Sequence, residues 1–293
     1  MNRTEYYKRT LKVLNPDIAQ AEVFLFDGVG SGGARGAEEA ARFGVGTIVL
    51  VDRPGERLEE HNIIRHTLGY RDLGRLKVEA LRDRLLDINP GCTIETYSLD
   101  ISSNILVHRQ LIERATQVHI CTDNELSKHM TNELCVEIGK PMLFASVFDG
   151  GCGGEAGRVM PGEACYGCIA KYLNVSATDS AGETIDYTDP DSLQEPTAAL
   201  NIDIAQIAIL QARLGLLTML EKHGQSEGPP GNYILLGNRP VEGLFSRMLE
   251  SEIWTIPADE NCLVCGRHPI DDDVDSKANT ILATANCEAY PHA

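Results

Sequence analysis

The sequence predicts an α/β fold, a doubly wound and mostly parallel Rossmann-like sheet. Three observations carry this. Short apolar runs alternate with stretches of helical periodicity along residues 21–148. The first run passes directly into a glycine cluster. The second ends on an acidic residue, Asp52.

Residues 21–26 (AEVFLF) stop at Asp27 and enter the glycines, as a buried parallel strand does when it feeds a phosphate-binding turn. Residues 34–43 are alanine-rich with charges on one side, a helix that Gly44 and Gly46 end. Residues 46–52 (GTIVLVD) are a second buried strand, completing a βαβ unit with a right-handed crossover. Residues 73–88 place Leu76, Val78, Leu81, Leu85 and Leu86 at helical spacing and stop before Asn89-Pro90. A strand at 92–99, a helix at 106–115, a strand at 117–121, a helix at 125–139 and a strand at 141–148 continue the alternation. Residues 150–157 (GGCGGEAG) predict a loop or sharp turn. Residues 197–223 give the longest helical pattern, apolar on most faces, and 224–231 is turn chemistry. Residues 233–236 and 253–256 are strands of a smaller terminal subregion. The expected division is a nucleotide-binding core at 1–175, a polar crossover loop at 176–199, a C-terminal region at 200–270 and a flexible tail at 271–293.

At 293 residues and 43% hydrophobic composition, the chain buries a sizeable core. Its net charge is −17, from 43 acidic and 26 basic residues, so no global field favours nucleic acid or anionic lipid. The first residues (MNRTEYYKRTLKVLN) lack the apolar centre of a signal peptide. No uninterrupted apolar run approaches the roughly 18 residues of a membrane span. Nine cysteines, an odd number, read as reduced thiols plus a metal site in a cytoplasmic chain.

The turn Gly28-Val29-Gly30-Ser31-Gly32-Gly33 satisfies G-x-G-x-x-G after a strand and before a helix. Its first glycine permits the tight turn, the second lets phosphate approach the backbone, and the third allows helix–strand packing. Asp52, 19 residues after Gly33, stands where a carboxylate reaches a ribose hydroxyl. An NAD-dependent reductase would account for these glycines and Asp52 alone. It leaves unexplained Asn62-Ile63-Ile64-Arg65 and Gly74-Arg75-Leu76-Lys77. Cations beside the phosphates suit an ATP enzyme that expels pyrophosphate, where charge accumulates on the leaving group. Arg65 offers a two-pronged phosphate contact, Lys77 a mobile point charge, and Asn62 an uncharged hydrogen bond. Asp123, beside Asn124 just past a strand, has two open roles: a Mg²⁺ ligand or the N-cap of the next helix. Cys165-x-x-Cys168 and Cys262-x-x-Cys265 are two C-x-x-C pairs with 93 residues between them. Together they offer four thiolates to one tetrahedral zinc, a closed and therefore structural site that braces the C-terminal subregion.

In this order along one chain, these features resemble the adenylyltransferase family of ThiF, MoeB and the ubiquitin-activating enzymes, over about residues 7–265. Ile88-Asn89-Pro90 and Lys140-Pro141 belong to the resemblance as well. It implies ATP·Mg²⁺, a homodimer, a carboxyl-AMP product and an N-terminal arginine that crosses into the partner's active site. Arg9, in Tyr7-Lys8-Arg9, fits that pattern, with Arg3 as the alternative. Residues 200–211 and 231–240 (GNYILLGNRP) further resemble activators of bacterial ubiquitin-like conjugation systems, which implies a ubiquitin-like substrate and a conjugating enzyme. The sequence departs from the family at Pro54, where a second aspartate is usual, and in the crossover loop, which holds no cysteine. Ser180 and Thr178 lie there, but a hydroxyl is a poor stand-in for a thiol at neutral pH. Either the acyl-adenylate is handed on directly, or Cys152 or Cys287 takes up the acyl group. A sulfur-carrier or peptide substrate, and a non-catalytic subunit of a split activator, are the alternative functions.

Overall fold

The computed structural model describes residues 3–173 and 198–266. Cys287, Thr178, Ser180, the expected flexible tail and nearly all of the expected crossover loop lie outside those residues, as does the side chain of Arg3. Two short helices, α1 (Arg3–Tyr7) and α2 (Pro16–Gln20), precede β1 (Val23–Asp27), α3 (Ser31–Phe43) and β2 (Thr47–Asp52). Then come α4 (Lys77–Ile88), β3 (Thr93–Ser98), α5 (Ile105–Arg114), β4 (Gln117–Ile120), α6 (Glu125–Ile138) and β5 (Met142–Val147). The chain continues through β6 (Gly153–Val159), α7 (Tyr166–Tyr172), α8 (Asn201–Lys222), β7 (Tyr233–Gly237) and β8 (Ser251–Trp254).

Among the described residues the strands form one sheet in the order β3-β2-β1-β4-β5-β6-β7-β8. Pairings from β3 to β5 are parallel, and those from β5 to β8 are antiparallel. The alternating side chains of β1 explain how both faces are covered. Phe24 and Phe26 enter one core with α3, α4 and Leu220 of α8, whereas Leu25 enters the other with α5 and α6. The strand order reverses direction between β1 and β4, where α/β sheets bind ligands.

The structure revises four expectations. First, α3 begins at Ser31 with Gly30 as its N-cap, so Gly32 and Gly33 belong to the helix's own first turn. Second, residues 73–76 do not join α4. Gly74 adopts φ +77°, Leu76 is extended, and Leu76 bridges Arg57, so the helix starts at Lys77. Third, the glycine-rich stretch is largely strand β6. A Cβ at Gly154 would strike Ser146 O and lie 2.7 Å from Ile207 Cγ1, and one at Gly157 would strike Phe144 Cζ. These glycines admit close neighbours from β5 and α8, a tertiary demand that turn statistics do not register. Fourth, β7 and β8 extend the main sheet beyond β6.

Helix α8 is long and apolar enough to cross a membrane by length and composition, although Asp203, Gln206, Gln211 and Arg213 interrupt its apolar run. Ile207, Ala208, Leu214 and Met219 of this helix are buried. It packs against α3, β5 and β6, which accounts for its apolar faces.

Candidate active site

A cleft of about 480 Å³ opens over the carboxyl ends of β1, β2, β4 and β5. Its floor is the glycine turn. Gly28 adopts φ +92°, and a Cβ there would lie 2.9 Å from the Cys121 carbonyl carbon, so only glycine is tolerated. A Cβ on Gly33 would strike Gly28 O, which explains the close packing of helix on strand. Gly30 and Gly32 line the cleft, and a Cβ on either would meet nothing within 4 Å. The turn therefore leaves room for a ligand at a helix N-terminus, where backbone N–H groups favour an anion.

His66, which the sequence did not single out, holds this turn from behind. It is buried, accepts from Leu68 N–H at Nδ1 (3.1 Å), and therefore donates Nε2–H to Val29 O (2.9 Å). Burial pushes its pKa below the ordinary value, keeping the neutral ring that this pairing requires.

On the β2 flank, Asp52, Arg53, Glu56, Arg65 and Lys77 converge. Lys77, the first residue of α4, places Nζ 2.6 Å from Glu56 Oε2, and Arg53 reaches Glu56 Oε1 at 3.0 Å. Burial opposes ionisation of Glu56, but the hydrogen bond and charge of Lys77 outweigh it and hold the carboxyl below its usual range. Asp52 goes the other way. Burial raises its pKa to about 6, only partly offset by the charge of Lys77. Its Oδ1 accepts from Arg53 N–H at 3.0 Å, while the buried Oδ2 has no partner. A buried acceptor without a donor fits a ligand hydroxyl. Arg65 Nε is likewise buried and unpartnered, and the Arg65 carbonyl accepts from Asn201 of α8. The walls above Asp52 are Leu99 and Ile101, apolar surfaces of a kind that hold a flat ring.

Beyond β4, Thr122, Asp123 and Asn124 line the cleft. Asn124 is the N-cap of α6, accepting from Ser127 N–H at 2.9 Å, which leaves Asp123 exposed and uncommitted to that role. Two expected residues stand elsewhere. Asn62 does not line the cleft. Its side chain accepts from Glu59 N–H at 2.9 Å, and its carbonyl accepts from Arg65 N–H, so it shapes the turn that presents Arg65. Arg9 is exposed and outside the cleft. The neighbouring Tyr7 packs on Gly44 and accepts from Asn89 Nδ2 at 3.2 Å, at the C-terminal ends of α3 and α4. The cleft is at their N-terminal ends, roughly 20 Å away along a helix of this length. Any role for Arg9 in a cleft requires a second copy of the chain.

Carboxylates outnumber cations in the lining, six (Asp27, Asp52, Glu56, Asp100, Asp123, Glu125) to four (Arg53, Arg65, Lys77, Lys128). A polyphosphate entering here needs counter-charge beyond the side chains. Cys121 also lines the cleft, but burial pushes its thiol up to about 12, so it is no nucleophile. Cys152 does not line the cleft.

The two C-x-x-C pairs meet at one point. Cys165 caps α7, Cys168 lies in its first turn, and Cys262 and Cys265 belong to the turn after β8. Sγ separations are 3.9 Å for Cys165–Cys168, 3.5 Å for Cys165–Cys262 and 3.3 Å for Cys168–Cys265, and all four lie within 4.8 Å of one another. Tetrahedral thiolates at zinc distance would sit about 3.8 Å apart. The Asp259 and Val264 N–H groups point at Cys168 Sγ and Cys262 Sγ, at 3.4 and 3.5 Å, as expected around thiolates.

Residues 2–247 match the model of the ThiF family. Among curated relatives, the chain is 29% identical over 164 residues to ubiquitin-like modifier-activating enzyme 5 of Oryza sativa subsp. japonica, covering 52% of this chain and 38% of that one. It is 28% identical over 180 residues to the sulfur carrier protein ThiS adenylyltransferase of Escherichia coli (strain K12), covering 58% of this chain and 69% of the relative. The chain thus spans well under half the length of the first relative. A crystal structure of E. coli MccB with MccA-N7isoASN superposes with a TM-score of 0.72 at 20% identity, covering 91% of this chain and 76% of that one. That likeness concerns the fold.

Proposed function

The chain belongs to the ThiF family, and from that premise we propose that it adenylates the C-terminal carboxylate of a ubiquitin-like protein with ATP and Mg²⁺. The observation that carries this reading is the cleft itself: an open glycine turn, a buried unpartnered oxygen on Asp52, and Lys77 and Arg65 facing one space. The adenine lies against Leu99 and Ile101, the ribose hydroxyls donate to Asp52, and the phosphates lie over Gly30 and Gly32. A carboxylate oxygen attacks the α-phosphorus, the bond to the bridging oxygen breaks, and pyrophosphate leaves without any proton transfer. Lys77 and Arg65 neutralise that leaving group, and positioning supplies the rest of the rate. Asp123, exposed beside the turn, would hold Mg²⁺, which supplies the counter-charge that the acidic lining lacks. Arg9 acts in the cleft of a homodimeric partner. The four cysteines hold a structural zinc, and the free thiols suit the cytoplasm.

A sulfur carrier or peptide is the second substrate reading. It is favoured by the ThiS adenylyltransferase relative and by the MccB fold neighbour. Intact mass after incubation with ATP and candidate ubiquitin-like proteins tests the proposal and separates the routes. A reductant-sensitive adduct identifies a thioester, and acyl-AMP alone identifies direct transfer to a conjugating enzyme or sulfur donor. ATP consumption independent of every carboxylate would contradict it.

Asp52 gives a test by pH. Its pKa is raised in the folded chain from 3.8 to about 6, so the folded state binds more protons between those values. The stability associated with the protonated form is complete below 3.8 and lost as pH rises through about 6. Asp52→Asn should therefore stabilise the nucleotide-free protein at neutral pH by up to about 3 kcal/mol. It should weaken ATP binding there and remove the fall in affinity expected of the wild type below about pH 6. Thermal melts and nucleotide titrations across pH check both.

A further inference from the structure

The proposed reaction brings two anions into one cleft, a triphosphate and a carboxylate. This chain's own cations assigned to the phosphates, Arg65 and Lys77, both lie on the β2 flank, as does Arg53. The sheet order puts β5 on the opposite side of the switch point, and there the cleft is lined by Ala145, Ser146 and Val147. Among the described residues, the cation that lines this flank is Lys128 of α6.

Lys128 is 4% exposed, which is rare for a lysine without a purpose for its charge. Its Nζ lies 2.5 Å from Glu125 Oε1 and 3.2 Å from Ser146 Oγ. An ammonium has three donors, so one N–H remains for a ligand. The position is built: Glu125 Oε2 accepts from Tyr166 OH at 2.7 Å, and Tyr166 N–H donates to Asn132 Oδ1 at 2.9 Å. Tyr166 follows Cys165 directly, so the four-cysteine centre anchors the ring that holds Glu125 and through it Lys128.

We infer that Lys128 receives the carboxylate of the acyl substrate and orients it toward the α-phosphorus, on the opposite wall from Lys77. The inference rests on the proposed function and adds the residue that selects a free C-terminal carboxylate over a blocked one. A carboxylate here exchanges water for a charge-assisted hydrogen bond in a cleft that is otherwise acidic on this side.

The test is calorimetric titration of the protein, loaded with a non-hydrolysable ATP analogue, with a synthetic peptide ending in Gly-Gly, as the free acid and as the C-terminal amide. The wild type should prefer the acid by about tenfold or more. Lys128→Met should bring acid and amide within about twofold, Lys128→Arg should restore most of the preference, and affinity for the analogue should stay unchanged in both. Should Lys128→Met unfold because Glu125 is left unpaired, Glu125→Gln/Lys128→Met removes both charges and is read the same way. A wild type that binds the peptide without preference, or not at all, overturns the inference, as does a Lys128→Met variant that keeps the preference. Failure of the wild type to bind the analogue instead overturns the nucleotide reading.

Discussion

Lys77→Ala is expected to lower carboxylate-dependent pyrophosphate exchange by about 10²–10³-fold, the usual effect of removing one charge-stabilising donor. The expectation comes from where Lys77 starts. As the first residue of α4, it projects its ammonium across the cleft mouth from a fixed helix end, with 13% of its side chain exposed. Glu56, at 2.6 Å, holds the ammonium ready, and a polyphosphate outcompetes one carboxylate for it. The variant should fold normally, because Glu56 keeps Arg53 as a partner and alanine suits the first turn of a helix. Exchange assays beside thermal melts check this, and unchanged exchange would remove Lys77 from the chemistry.

Cys168→Ser is expected to remove the metal and lower the melting temperature by roughly 10–20 °C, equivalent to several kcal/mol in a chain of this size. Cys165–Cys262 and Cys168–Cys265 each join positions 97 residues apart, so the centre closes long loops. It also fixes the start of α7 against the turn after β8, and Tyr166 in that helix supports Glu125. Elemental analysis should find one zinc per wild-type chain and little in the variant. A wild-type chain without zinc that melts at the variant's temperature would contradict the assignment.

The reach of the sequence was uneven for physical reasons. The glycine turn and the paired cysteines were legible because their chemistry is local: a left-handed φ at Gly28 and two thiolates three residues apart. The alternation of strand and helix was legible because β1, β2 and β4 are buried on both faces and read as apolar runs. Strand β6 was hidden, since its glycines answer to Ile207, Phe144 and Phe245, all distant in sequence. His66 and Lys128 were hidden for the same reason: their roles depend on Val29 and Ser146, reached only through the fold. The spacing Glu125 to Lys128 was the one local signal for the latter, an i,i+3 ion pair. Asn62 has a second role that its position beside Arg65 did not reveal: its side chain closes the turn that presents Arg65.

The most direct measurement of the central claim is isotopic. A substrate whose C-terminal carboxylate carries heavy oxygen is turned over with ATP, and the released AMP is analysed by mass spectrometry. If the carboxylate attacks the α-phosphorus, AMP leaves with one heavy oxygen when the acyl group is passed on. AMP without the label would mean that water attacks instead, and the cleft would not be an acyl-adenylating site.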